Sequence, residues 1–223
     1  MTGQVLHGWW LTFLLKGPGE SEGTEPDPDP DTNLMLRFTQ GDQQAFDILF
    51  NKYTRTIINY AFKFVGDLGA AEDLAQEIFL KVYSGKNTYR AEAKFKTWLY
   101  KIATNACISE LRKPRYRQTL QSIDAPVHRS ESGESARRLE IADTEQNHPL
   151  KQLELKEMRK ALKAAVDGLP ENQRLAFILT KYQTLSYQEV AVVLNSSEPA
   201  VKSLIHRAKE TLIAKLKPTS LNR

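Results

Sequence analysis

Lysines and aromatic residues alternate between positions 94 and 101, and this is the part of the chain best suited to act on another molecule. Lys94, Lys96 and Lys101 surround Phe95 and Trp98. Aromatic rings stack on unpaired bases while lysine and arginine follow the phosphates, so the pattern is typical of a single-stranded nucleic-acid site. Either ring taken alone is more often a core residue. The prediction therefore depends on the cluster as a whole.

A second basic group lies near the C-terminus, on a predicted helix that follows a short helix and a tight turn. Ser186 and Glu189 have the spacing of a capping box, and Asn195-Ser196-Ser197 ends the first helix. Ser196 or Ser197 can cap the second helix, with Pro199 in its first turn. The outward face of that helix carries Lys202, Ser203, His206, Arg207 and Lys209. This arrangement predicts a helix-turn-helix that enters the major groove; the alternative is a helical hairpin with solvated charges.

The chain has no residue pattern that indicates catalysis. It has no glycine-rich phosphate loop, no Cys/His metal spacing and no HExxH motif. Its four histidines are scattered, and neighbouring acids such as Glu72 and Asp73 point apart on a helix. We therefore expect no enzyme activity, no metal, no cofactor and no small-molecule substrate.

Charge is distributed unevenly along the chain. Residues 1–32 contain one lysine and six acidic residues, so they carry −5 of a formal net charge of +4, and the remainder carries +9. A basic body with an acidic leader suits a polyanionic partner. The apolar stretch within residues 1–15 is too short to span a bilayer, and the Pro-Asp alternation at 25–31 cannot build a core. We expect residues 1–32 to be a disordered extension.

Apolar periodicity predicts an all-α protein of two small helical domains joined by a flexible linker. The first domain covers 33–113, the linker 114–150 and the second domain 151–217, which contains the helix-turn-helix; 218–223 is a tail. Cys107, the single cysteine, is expected to be a buried structural thiol in a reducing compartment.

Four segments in this order resemble the extracytoplasmic-function (ECF) class of bacterial RNA polymerase sigma factors. They are GDQQAFDILFNKY at 41–53, AEDLAQEIFLKVY at 71–83, FKTWLYKIATNACISELRK at 95–113 and the long segment 169–216 that contains the helix-turn-helix. No single segment is diagnostic, but all four in order are specific. The resemblance implies a subunit that directs core polymerase to promoters and assists melting, without catalysis of its own.

The resemblance also implies roles for individual residues. The helix that binds the polymerase core would present Asp73, Gln76, Glu77 and Leu80. Residues that open the minus-ten element and capture an unstacked non-template base would be Asn87, Arg90, Lys94, Lys96, Trp98, Lys101 and Asn105. Residues on the helix that reads the minus-thirty-five element would be Glu198, Ala200, Lys202, Ser203, His206, Arg207 and Lys209, and their division into base and phosphate contacts stays open.

The partners implied are RNA polymerase core enzyme, promoter DNA as duplex and as melted non-template strand, and an anti-sigma factor, often membrane-anchored in this class. The expected location is the cytoplasm, with retention at the inner membrane face by an anti-sigma factor as a variant. The main alternative is a stand-alone helix-turn-helix regulator of duplex operators. An interaction adaptor without a DNA role is the second alternative; neither requires the aromatic-basic cluster.

Overall fold

The computed structural model describes residues 29–113 and 149–216, which form two compact units. All α-helices and the one 3₁₀ turn of these ranges are given below, and no strand occurs in them. The predicted all-α class is confirmed. Predictions that fall on residues 1–28, 114–148 and 217–223 lie outside the described residues.

The first unit contains four helices. They are α1 (Pro30–Thr39), α2 (Gln43–Val65), α3 (Leu68–Ser84) and α4 (Phe95–Leu111), with a 3₁₀ turn at Lys86–Thr88 between the last two. The Asp42 carboxylate accepts the backbone N–H of Ala45 at 3.2 Å, and the Asp67 carboxylate accepts that of Ala70 at 2.9 Å. Each aspartate thereby caps the start of its helix. Gly66, with φ of 73°, ends α2 in the left-handed conformation that glycine adopts without strain.

A shared apolar core holds α2 against α1, α3 and α4. Its large, fully buried side chains are Met35, Phe38, Leu49, Ile57, Tyr60, Ile78, Phe95, Leu99 and Tyr100. Each contributes about 1.5–3 kcal/mol relative to solvent exposure. The Tyr60 hydroxyl and the Thr104 hydroxyl lie 2.7 Å apart, so this phenol is paired inside the core. Cys107 is buried, as predicted.

The start of the first unit differs from the sequence-based boundary at residue 33. Helix α1 begins at Pro30, and the Asp31 carboxylate is buried, with 6% of the residue exposed. The Lys52 ammonium donates to both oxygens of Asp31 at 2.6 and 2.7 Å, and the Tyr53 hydroxyl donates to one at 2.6 Å. These contacts from α2 supply the partners that a buried carboxylate requires. The Pro-Asp segment thus contributes its last residues to the core.

The second unit also contains four helices. They are α5 (Pro149–Asp167), α6 (Glu171–Lys181), α7 (Tyr187–Leu194) and α8 (Glu198–Leu216). Because α5 begins at Pro149, the last two residues of the predicted linker are helical. Helix α6 packs against α7 and α8, and its residues 175–180 are all buried. Tyr182, which follows the last residue of α6, is 39% exposed.

Within residues 29–113 and 149–216, no helix is both long and apolar enough to cross a membrane.

Candidate nucleic-acid interface

One face of α4 carries a row of exposed polar and basic side chains, which we call the α4 strip. It is formed by Lys94, Trp98, Lys101, Asn105 and Arg112, and all of these are exposed except the half-buried Trp98. Their spacing of 3, 4 or 7 residues keeps them on one side of a helix. Leu99, Ala103 and Ala106 lie on the opposite side in the core. The core therefore fixes which side chains form the strip.

Lys96 does not join the α4 strip. It lies two positions before Trp98, so it points about 160° away around the helix. Its side chain is half-buried rather than exposed. Of the residues predicted for minus-ten contacts, the structure therefore separates Lys96 from Lys94, Trp98, Lys101 and Asn105. Tyr100, one of the aromatic residues of the sequence cluster, belongs to the core and packs edge-on to Tyr60 at 5.2 Å.

The loop before α4 is held beside the strip by Tyr89. The Tyr89 ring is buried and meets the Trp98 ring edge-on, with centroids 5.1 Å apart. Its hydroxyl lies 3.4 Å from Thr32 Oγ1, which accepts the Phe95 backbone N–H at 3.0 Å. Burial raises the pKa of the Tyr89 phenol, so this group stays a neutral donor at physiological pH. Tyr89 was not among the predicted site residues, and it positions Trp98.

Asn87 and Arg90 lie on the outer side of the same loop, and both are exposed. The Arg90 guanidinium donates to the backbone oxygens of Asn87 and Tyr89 at 3.2 and 3.1 Å. These bonds fold the arginine over the 3₁₀ turn and leave a cation at the end of the α4 strip. An exposed arginine can contact DNA phosphates, and the half-buried Trp98 indole can stack on a base. Together, Arg90 and Trp98 therefore suit unpaired DNA.

The exposed face of α3 bears the four residues predicted to bind polymerase. Asp73, Gln76, Glu77 and Leu80 are all exposed, and Leu80 is the most exposed large apolar residue of the described chain, at 69%. Their i, i+3, i+4, i+7 spacing places them together. Glu77 pairs with Lys81 at 2.6 Å, one turn further along. An exposed leucine beside two acids and an amide is suited to a protein partner.

Tyr83 extends this face, although it was not among the predicted residues. It is 42% exposed, and its ring packs against Phe38 and Phe46 at centroid distances of 5.3 and 5.2 Å. The Lys86 ammonium lies 5.5 Å from the same ring. Its position three residues after Leu80 is the signal from which the sequence could have identified it.

The helix-turn-helix has the local geometry that its sequence predicts. Ser186 Oγ accepts the Glu189 backbone N–H at 3.2 Å, and the Glu189 carboxylate accepts the Ser186 N–H at 2.8 Å, which completes the capping box. Asn195 ends α7 in the left-handed conformation, with φ of 48°. Ser197 Oγ accepts the Ala200 N–H at 3.4 Å. These contacts set α7 and α8 around a three-residue turn.

The predicted DNA-reading residues of α8 occupy one arc of the helix. Lys202, Ser203, His206 and Arg207 are exposed and form its centre. The half-buried residues Glu198, Ala200 and Lys209 form its edges. The opposite side consists of Val201, Ile205, Ala208 and Leu212, which are buried in the second unit. The structure therefore places all seven residues around one surface, with three of them less accessible than the sequence suggested.

Local charge pairs orient part of this arc. Lys202 binds Glu198 at 2.7 Å and lies 5.9 Å from the Tyr187 ring centroid on α7. The hydrogen bond from Lys202 holds the pKa of Glu198 below its usual range, so this carboxylate is ionised at neutral pH. His206 Nδ1 lies 3.4 Å from a Glu210 oxygen. Arg207 has no ion pair within the described ranges and is directed to solvent.

A lysine at the end of α6 lies near the edge of the same arc. Burial, together with the charge of Lys209, lowers the pKa of Lys181 to about 8. Burial is the larger of these two causes, and the charge of Lys209 on α8 adds to it. Among residues 29–113 and 149–216, no cluster of three or more His, Cys, Asp or Glu side chains could hold a metal ion.

Each of the two units contains most of a region that matches a known protein-family model. The family model of sigma-70 region 2 matches residues 49–117, and that of sigma-70 region 4 matches residues 159–212. The first range contains α3, the loop and the α4 strip. The second contains the helix-turn-helix.

Characterised relatives match most of the chain. The RNA polymerase sigma-H factor of Pseudomonas aeruginosa is 32% identical over 185 residues, which cover 83% of this chain and 93% of the relative. The ECF RNA polymerase sigma-E factor of Escherichia coli is 31% identical over the same lengths. Identity of this extent over both units shows common family membership.

Solved structures share the fold. CnrH, solved with the cytosolic domain of CnrY, gives a TM-score of 0.60 at 22% identity and covers 85% of this chain and 99% of its own. The sigma factor RpoE of Bartonella quintana, solved with the anti-sigma factor NepR, gives 0.54 at 22% identity, with coverage of 78% and 98%. Together with the matched regions and relatives, the two helical units show that this chain belongs to the ECF sigma factors of bacterial RNA polymerase.

Proposed function

We propose that the α4 strip and its loop melt the minus-ten element, that the exposed arc of α8 reads the minus-thirty-five element, and that the α3 face binds core polymerase. As a sigma factor, the chain directs core enzyme to promoters. The observation that carries the residue assignment is the α4 strip, in which Lys94, Trp98, Lys101 and Asn105 lie on one exposed face. A stand-alone operator-binding regulator does not need this strip.

Capture of an unpaired base would use Trp98 and its neighbours. Extrusion of a base costs a few kcal/mol, and stacking recovers about 1–3 kcal/mol per base. The buried Tyr89 ring packs edge-on against the Trp98 indole and restricts its movement. The indole therefore loses little conformational freedom when a base stacks on it. Lys94, Lys101 and Arg90 then hold the displaced backbone. The chain would supply no catalytic group of its own.

An anti-sigma factor is the natural regulator of the α3 face. The Bartonella RpoE was solved with an anti-sigma factor bound, and CnrH was solved with the cytosolic domain of CnrY. In this chain, the exposed Leu80 and Tyr83 provide apolar anchors beside both acidic and basic side chains. Polymerase and an anti-sigma factor would then compete for the same side chains. Because core polymerase is found in the cytoplasm, binding to it would require that the protein act there.

The test is run-off transcription from a promoter library with core polymerase. Wild type should yield protein-dependent transcripts that share two upstream motifs. Leu80→Asp and Gln76→Ala should lower every transcript, because they weaken polymerase binding. Asp47→Ala, an exposed aspartate on α2, is the control and should leave transcription unchanged.

Transcription from a second template distinguishes a defect in promoter melting from a defect in polymerase binding. Lys101→Ala and Trp98→Ala should lower transcription about tenfold from a duplex promoter, which corresponds to the loss of one stacking or phosphate contact. On a template whose minus-ten element is already unpaired, both variants should reach wild-type transcript levels at saturating polymerase, because the cost of opening the duplex is removed and the lost contact then only weakens binding. Equal defects on the two templates would contradict the melting role. Tight operator binding without polymerase, and no transcripts, would favour the stand-alone regulator.

A further inference from the structure

Helix α4 receives its N-terminal hydrogen-bond acceptor from another helix. Lys94 occupies the position before its first residue, and the Lys94 side chain does not cap the helix. A lysine side chain carries only donors, so it cannot accept the N–H groups of a first helical turn. The N–H of Phe95 is instead accepted by Thr32 Oγ1 of α1 at 3.0 Å, across 63 positions of sequence. Helix α1 therefore supplies the cap of α4.

The Thr32 hydroxyl is held in the orientation that this contact requires. It donates its proton to the Asp29 carboxylate at 2.8 Å, so its lone pairs are left to accept. The Tyr89 hydroxyl, which belongs to the loop before α4, lies 3.4 Å from the same oxygen. One side chain of α1 thus joins that loop to the start of α4.

Helix α1 also contacts the beginning of the same loop. Lys86 Nζ, in the 3₁₀ turn, lies 4.8 Å from the centroid of the Phe38 ring, and Phe38 is fully buried near the C-terminal end of α1. A cation over an aromatic face is attracted to the ring electrons. The loop at residues 85–94 is therefore attached to α1 near both of its ends.

Trp98 lies where these contacts meet. Its ring packs edge-on to the Tyr89 ring at 5.1 Å and lies 6.2 Å from the Phe95 ring. A Cβ atom at Gly85 would lie 3.6 Å from Trp98 Cζ2, so the indole is also close to the start of the loop. The two donors that Thr32 accepts thus belong to the two aromatic residues that pack against Trp98. A shift of either residue would change the angle at which the indole meets a base.

We propose that Thr32 is a positioning residue for promoter melting. It sets the start of α4 and, through Tyr89 and Phe95, the orientation of the Trp98 indole. This inference rests on the proposed function, because it requires that Trp98 captures an unpaired base. Folding of the unit then orders the indole in advance, so a captured base does not have to supply that ordering free energy.

The first test removes the Thr32 hydroxyl and keeps the shape of the side chain. Thr32→Val should lower the rate at which saturating holoenzyme opens a duplex promoter about fivefold, the effect expected for one capping hydrogen bond. The holoenzyme concentration that gives half of the maximal rate should stay unchanged. Fluorescence of 2-aminopurine placed in the minus-ten element reports the opening.

Thr32→Ser is the conservative variant, because it keeps the hydroxyl. It should open the promoter at close to the wild-type rate. An unchanged rate in Thr32→Val, or an equal loss of rate in Thr32→Ser, would overturn the proposal.

A matched control removes a hydroxyl from the same helix. Thr39 Oγ1 donates to the Leu36 carbonyl oxygen within α1, at 2.6 Å. Thr39→Val should leave the opening rate within about twofold of wild type. If it slowed opening as much as Thr32→Val, a general loss of α1 stability would explain both effects, and the proposal would be wrong.

A template with an unpaired minus-ten element distinguishes positioning from a loss of folded protein. On this template, Thr32→Val at saturating polymerase should give wild-type transcript levels, because opening no longer limits transcription. A merely destabilised protein would give fewer transcripts on both templates, and that result would contradict the proposal.

A double-mutant cycle tests whether Thr32 acts through Trp98. Because effects of coupled residues do not add, Thr32→Val combined with Trp98→Ala should open the promoter within about twofold of the rate of Trp98→Ala alone. If the two separate defects multiplied in full, Thr32 would act independently of the indole and this inference would fail.

The same rates distinguish failure of this inference from failure of the proposed function. If Trp98→Ala opens the duplex at the wild-type rate, the indole does not capture a base, and the proposed function fails together with the inference. If Trp98→Ala is slow while Thr32→Val is not, only the role of Thr32 is wrong.

Discussion

The Lys52 ammonium contacts both oxygens of the Asp31 carboxylate, at 2.6 and 2.7 Å, across 21 positions of sequence. The carboxylate is buried whereas half of the lysine side chain is exposed. Tyr53 donates a third hydrogen bond to the same group. Burial and the Asp31 carboxylate raise the pKa of the Tyr53 phenol well above its usual range, so it remains a donor. The three residues connect α1 to α2.

Removal of this carboxylate should destabilise the first unit. Asp31→Ala leaves the Tyr53 hydroxyl buried without its acceptor and removes the partner of Lys52, which should cost about 2 kcal/mol of unfolding free energy. Urea denaturation followed by circular dichroism measures the change. Asp47→Ala, on the exposed side of α2, should shift stability by less than about 0.5 kcal/mol. Equal effects of the two substitutions would contradict the stabilising role of Asp31.

The capping box should stabilise the helix-turn-helix specifically. Ser186→Ala removes the acceptor of the Glu189 N–H and should cost about 1 kcal/mol. Ser197→Ala should cost less, because its bond to the Ala200 N–H is longer, at 3.4 Å. Amide hydrogen exchange in α7 measures the effect of Ser186→Ala, and exchange in the first turn of α8 measures that of Ser197→Ala. A larger effect of Ser197→Ala would contradict this ranking of the two caps.

Arg207 and Lys202 should affect promoter selection differently. Lys202 is held by Glu198 and Tyr187, whereas Arg207 is directed to solvent and can bind a guanine edge through two hydrogen bonds. Arg207→Ala should relax preference at one base position, with a loss of about 1–3 kcal/mol for the preferred base. Lys202→Ala should weaken all sites alike and lower the salt slope by about 1. Selection from a randomised minus-thirty-five library distinguishes these outcomes. If Lys202→Ala relaxed the preference at one base and Arg207→Ala weakened all sites alike, Lys202 would be the residue that reads the base.

Lys181 should titrate near pH 8 in the folded protein. Its lowered pKa means that the unfolded chain binds more protons between pH 8 and 10.5, so this lysine makes stability rise with pH over that interval. Below pH 8 both states are protonated, and the folded state bears the full cost of the buried charge. Lys209→Met should raise the pKa of Lys181 because it removes the neighbouring charge, whereas Lys209→Arg should not. NMR of the lysine side-chain carbons checks this, and an unchanged titration in Lys209→Met would exclude the coupling.

Periodicity predicted the faces of single helices well. In α3, Leu74, Ile78 and Val82 are buried while Asp73 and Gln76 are exposed, because a helix with 3.6 residues per turn separates these positions whatever packs against it. The capping box and the turn at Asn195 also depend only on residues that are close in sequence. The helix-turn-helix could therefore be predicted from them. The family resemblance supplied the order of the domains.

Contacts between residues that are far apart in the sequence could not be predicted from the sequence pattern. Asp31 looked like part of a polar leader, and only its pairing with Lys52 explains its burial. The contact between the Tyr89 and Trp98 rings depends on the path of the loop between α3 and α4. The spacing of residues in the sequence does not determine that path. Lys96 was grouped with its neighbours by sequence proximity, although the helix turns it away.

Helix α8 separates residues that stabilise the fold from residues that face solvent. Val201, Ile205, Ala208 and Leu212 hold the unit together, while Ser203, His206 and Arg207 on the other side are exposed. If these exposed residues read DNA as we propose, substitutions among them would alter what the helix recognises without opening a cavity in the core. A duplicated copy of such a gene could thus acquire a new set of promoters through surface changes alone, while its folding remained under the original selection.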